Sequence, residues 1–181
     1  MLVRVNKAAI ERAGRQIQAN WEKYEANNLL LETEDPGWSG ERQAIYKSLQ
    51  GTPRAKLAER FMELELAATI AHEAAHVSDL VDLRFSLKDS EVRAYLKQFT
   101  EHPIALHDVE ACLDPSMKNL PAHYPEAARV ILSCLTQQST ATTHRALYRL
   151  PPESLTRAAR KCLSIQNSTQ KKVTASRQRS P

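Results

Sequence analysis

A chain of 181 residues, 42% of them hydrophobic, can bury one core but not two, so a single folded domain over residues 1–166 is expected, followed by a disordered basic tail at 167–181. Aromatic residues make up only 6%, glycines number four, and Ala, Leu, Glu, Arg and Gln fill most stretches; this excludes a sandwich or barrel and predicts a mainly α fold with at most a small β element. The formal charge of +4 lies wholly in the tail, where Lys171, Lys172, Arg177 and Arg179 meet no acid, so the body is electrically balanced and is not a basic nucleic-acid module.

Ile10, Gly14, Ile17, Trp21 and Tyr24 recur at helical spacing and predict one amphipathic helix over 6–27. Leu29 to Glu32 reads as a short strand or a buried connector, Leu2 to Val5 as the other stretch that could offer a strand, and the Glu34 to Gly40 stretch, with its Pro36-Gly37 pair, as a loop. A short helix over 41–49 follows. Gly51-Thr52-Pro53 then combines a breaker, an N-cap and a proline suited to a first helical position, and nothing interrupts the pattern until about Arg84. Leu57, Phe61, Leu64, Ala68, Ala71 and Ala75 mark one face of this long helix and Leu66, Ile70, Val77 and Leu80 its neighbour, so it is expected to be central and buried over much of its circumference. Further helices are predicted over 89–99, 103–112, 121–137, 140–150 and 152–165. Beyond Asn167 no apolar pattern remains.

The long helix carries His72-Glu73-Ala74-Ala75-His76. Residues four apart on a helix differ by about 40° around the axis and by one turn along it, so the two imidazoles can aim at one metal ion. Glu73, one step away, sits beside such an ion rather than on it, where a carboxylate can act as general base on a zinc-bound water and return the proton to a leaving amine. Asp79 follows His76 by three residues and is placed to accept a hydrogen bond from a histidine's other nitrogen. A catalytic zinc takes three protein ligands, and Asp82 and Glu91 compete for the third place. Asp82 reaches the metal only if the helix breaks before it. Glu91 does so if a tight hairpin folds the next helix back, and Tyr95, one turn further, would then face the same cleft and be placed to donate to an oxyanion. Arg93 and the pair His107-Asp108 are weaker candidates for transition-state contacts.

These residues resemble the short glutamate-zincin metallopeptidases, among them bacterial and phage mini-zincins and the mitochondrial inner-membrane processing peptidase. The likeness rests on H-E-x-x-H-x-x-D, here His72 to Asp79, and on E-[IV]-R-A, here Glu91 to Ala94, about 25 residues in all. It implies a Zn2+ ion on His72, His76 and Glu91, Glu73 as base, and a protein or peptide substrate. The spacing to Glu91-Val-Arg-Ala94 is shorter than in the mitochondrial enzyme, and that enzyme's cysteines are missing.

A non-catalytic helical accessory or effector protein with a vestigial metal site is the alternative. Four charges on the tail support only weak, salt-sensitive contact with nucleic acid. Cys112, Cys134 and Cys162 are odd in number and widely spaced, and read as reduced, buried thiols. With no secretion-signal pattern at Met1 to Lys7 and no apolar run of roughly 18 residues, no membrane span is expected; the expected location is cytoplasmic, or exported as an effector without a cleaved signal.

Overall fold

The computed structural model describes residues 6–33, 35–80, 86–102, 106–114 and 119–177, with backbone only at 79, 80 and 169–177. Eight α-helices and no strand occur among the described residues, in agreement with the expected mainly α fold: α1 (Lys7–Ala19), α2 (Trp21–Leu30), α3 (Gly40–Leu49), α4 (Leu57–Leu80), α5 (Leu87–Glu101), α6 (Leu106–Ala111), α7 (His123–Gln138) and α8 (Pro152–Arg177). Among the described residues no helix is long and apolar enough to cross a membrane.

The predicted helix over 6–27 is two helices. The backbone leaves the helical conformation at Asn20, whose N–H and side-chain amide both donate to the Gln16 carbonyl and so cap α1. α1 crosses α4 so closely that a Cβ on Gly14 would lie 2.8 Å from the Ala58 carbonyl oxygen, which is why the stripe carries glycine there. Ile17, Trp21, Ile45, Leu49, Leu57 and Phe61 close a smaller core between α1, α2, α3 and α4, each fully buried large side chain contributing about 1.5–3 kcal/mol. Leu29 to Glu32 is not a strand: it forms the end of α2 and the following turn, with Leu31 buried. Asn27 ties this corner together, its amide accepting from the Ser39 N–H and donating to Gln43 Oε1 and the Ser39 carbonyl.

The larger core is built on α5, which packs against α4, α7 and α8 and buries Val92, Tyr95, Leu96 and Phe99. α5, not α4, is therefore the most enclosed helix. α4 contacts α1 on one side and α5 on the other, leaving Ile70 and Val77 53% and 44% exposed, so these two residues of the second apolar stripe are not core. Residues 140–150 make no α-helix; Arg145–Arg149 form one 3-10 turn that buries Leu147 and Tyr148 and ends before Pro151. In α8 the helical backbone continues to Arg177, past the Ile165 end set by the apolar pattern. Residues 167–177 contain no Gly or Pro to interrupt that backbone.

The cysteine expectation is also corrected. Cys134 on α7 and Cys162 on α8 form a disulfide, their Cα atoms 6.0 Å apart, while Cys112 remains a buried thiol. Only the packing of two helices 28 residues apart makes the pair, a relation that spacing alone does not reveal. Reduction is expected to lower the unfolding free energy by about 3 kcal/mol, read as a shift in urea midpoint with and without reductant. An unchanged midpoint, with three titratable thiols in the unfolded, unreduced chain, would sink that expectation.

Candidate metal centre

The short link between α4 and α5 makes the two helices an antiparallel hairpin, so late residues of α4 meet early residues of α5. Ser86 starts α5 as its N-cap, accepting from the Asp89 N–H. The register then sets Ser90 opposite His76, Glu91 between His76 and His72, and Gln98 opposite His72.

His72 Nε2 and His76 Nε2 face each other at 3.0 Å; His72 Nε2 lies 3.4 Å from Glu91 Oε2 and His76 Nε2 3.4 Å from Glu91 Oε1. Ligands about 2.0–2.1 Å from a tetrahedral zinc are separated by roughly 3.3 Å, so the two imidazoles and the carboxylate edge between them have the spacing of ligands to one ion. All three side chains are largely enclosed, with relative exposures of 12% for His72, 20% for His76 and 10% for Glu91. The outer nitrogens are held as well. His72 Nδ1–H donates to Gln98 Oε1 at 3.2 Å, and His76 Nδ1 lies 2.9 Å from the Ser90 hydroxyl. Because an amide oxygen only accepts, His72 carries its proton on Nδ1 and turns a bare lone pair at Nε2 toward His76 and Glu91. Glu91 Oε2 is buried without a hydrogen bond. Electron-rich atoms converging on one point, one of them an orphaned carboxylate oxygen, are unfavourable unless a cation or a proton lies among them. The donor set therefore fits zinc.

Glu73 lies on α4 beside this trio, half-buried, and makes no ion pair among the described residues. Tyr95 is near the site but in another role than expected. Its ring packs edge-on against His72 with centroids 4.5 Å apart, and its buried hydroxyl lies 3.7 Å from Cys112 Sγ. Burial and the neighbouring Cys112 and Asp108 push its pKa well up, and with its hydroxyl turned to Cys112 the ring stands as a neutral wedge behind His72. Arg93 bonds Asn167 Oδ1 on α8 at 2.7 Å. Asp82 lies outside the described residues, as does the side chain of Asp79.

Sequence reasoning missed Gln98, Ser90 and Tyr124. Gln98 is fully buried, and its Nε2 donates to Asp108 Oδ2 at 3.4 Å, which fixes the amide with its oxygen toward His72. Tyr124, at the start of α7, is half-buried; burial and the charges of Glu91, Cys112 and Glu73 raise its phenol, placing it within electrostatic reach of both the candidate base and the third ligand. A buried Gln seven residues after a candidate ligand is the one signal that pointed to Gln98; nothing local marks Tyr124. His107 and Asp108 do not join the trio. They lie on α6 against Glu65 of α4, in a second cluster two helical turns away.

Compared with protein-family models, curated proteins and solved structures, the chain matches none of them.

Proposed function

We propose that the protein is a zinc-dependent peptidase whose ion is held by His72, His76 and Glu91. The observation that carries this reading is that the two imidazole Nε2 atoms, 3.0 Å apart, close on the buried Glu91 carboxylate, His72 at Oε2 and His76 at Oε1, each at 3.4 Å. The motif-level resemblance to glutamate-zincins points the same way. Bound zinc would supply Lewis acidity, lowering the pKa of a water toward about 7 and polarising a peptide carbonyl. Glu73 then takes the proton of the attacking water and delivers it to the departing amine. Gln98 and Ser90 keep both imidazoles turned inward, and the wedge of Tyr95 behind His72 limits ring rotation.

One observation favours the non-catalytic alternative: among the described residues no strand is available on which an extended peptide could pair. A peptidase of this build would recognise its protein substrate through side-chain contacts with helix faces, which narrows the substrate range. The Cys134–Cys162 bond supports the exported destination over the cytoplasmic one, because thiols are kept reduced in most cytoplasms. The test is metal content by mass spectrometry, with cleavage of unfolded protein substrates by the same preparation before and after chelation. Zinc-dependent cleavage restored by added ZnCl2 is the expected result; zinc bound tightly with no cleavage of any substrate would favour the alternative.

A further inference from the structure

We propose that Glu65, His107 and Asp108 form a second divalent-cation site, separate from the His72, His76 and Glu91 centre, which fastens α6 to α4. His107 Nε2 lies 2.8 Å from Glu65 Oε2 and 3.5 Å from Asp108 Oδ1, and the three ligand atoms fall within 4.8 Å of one another. One imidazole N–H can serve only one of two carboxylates. Here it serves Glu65 at 2.8 Å, and the nearer Asp108 oxygen faces the same nitrogen from 3.5 Å. The cluster is enclosed: Glu65 and His107 are buried, with the Phe61 ring centroid 5.9 Å from that of His107.

Two carboxylates against one imidazole leave the cluster short of positive charge, which a divalent cation supplies, with water completing the coordination. One imidazole nitrogen and two carboxylates are a donor set for Zn2+ or Mn2+ rather than for a soft cation.

The two sites do not form one two-metal centre. Glu65 precedes His72 by seven residues, about 10.5 Å along a helix, whereas metals sharing a reaction lie about 3.5–4 Å apart. Gln98 links them instead. Asp108 presents Oδ1 to the cluster and Oδ2 to the Gln98 amide, whose oxygen accepts from His72. Occupation of the second site fixes Asp108, and through Gln98 it fixes the tautomer of His72.

Titration of the metal-free full chain with CoCl2 and then ZnCl2, read by visible absorbance, calorimetry and metal content, tests the proposal. Wild type is expected to take two equivalents, and His76→Ala and Asp108→Asn one each, with circular dichroism showing both variants folded. Retention of one equivalent in His76→Ala and its loss in the double variant would place that ion at Glu65, His107 and Asp108. A folded His76→Ala that binds nothing, or an Asp108→Asn that still takes two, overturns the second site. Should Asp108→Asn fail to fold, Glu65→Gln takes its place, and a folded Glu65→Gln that still takes two equivalents overturns the second site. A single equivalent lost in Asp108→Asn and kept in His76→Ala would uphold the second site while removing the peptidase centre.

Discussion

Glu73→Gln is expected to bind zinc like the wild type and to lose turnover by about 10²–10⁴-fold, the range that a positioned general base contributes. The separation of the two effects follows from where Glu73 sits. It is on α4 between the two histidines in sequence, yet it does not touch the converging Nε2 atoms, and it has no ion pair among the described residues to lose. Glutamine keeps the size and the helical propensity, so melting temperature and metal content should not change. What disappears is an acceptor able to take a proton and give it back. Peptide cleavage rates at matched zinc loading measure this directly. Equal rates for variant and wild type would remove Glu73 from the chemistry; loss of zinc in the variant would show that it acts as a ligand instead.

The sequence made the metal trio legible because both parts of it are local. His72 and His76 share a face by helical spacing alone, and Glu91 follows a break short enough to demand a hairpin. Where reasoning from pattern fell short, the deciding interaction was tertiary. Ile70 and Val77 look like core on a helical wheel, but α1 and α5 cover other faces of α4 and leave them in water. Thr140 to Leu150 has helical composition, yet Tyr148 is drawn inward to Glu110 and the segment becomes a 3-10 turn. Tyr95 occupies the predicted turn after Glu91, but its rotamer carries the hydroxyl to Cys112, a residue whose proximity no spacing rule gives. The same holds for Cys134 with Cys162, and for the chain of contacts from His72 through Gln98 and Asp108 to His107.

Glu91→Ala is expected to weaken zinc binding by at least ~100-fold, beyond the 10–100-fold that loss of an outer hydrogen-bond partner costs, because it removes one of three protein ligands. Two histidines on one helix remain, still held from behind by Gln98 and Ser90, so some affinity for zinc survives. Thermodynamic linkage gives the effect a second, independent readout. At zinc concentrations about 100 times the wild-type dissociation constant, binding stabilises the fold by about 2.7 kcal/mol, nearly all of which the variant forfeits. Its melting temperature should therefore fall below that of wild type in zinc and approach it in chelator, where the substitution also relieves an oxygen buried without a hydrogen bond. A drop of equal size in both conditions would mean that Glu91 is structural rather than a ligand. Asp82→Asn is the necessary comparison: if zinc affinity falls there and holds in Glu91→Ala, the third ligand is Asp82, and the enclosed carboxylate between the two imidazoles serves only to position them.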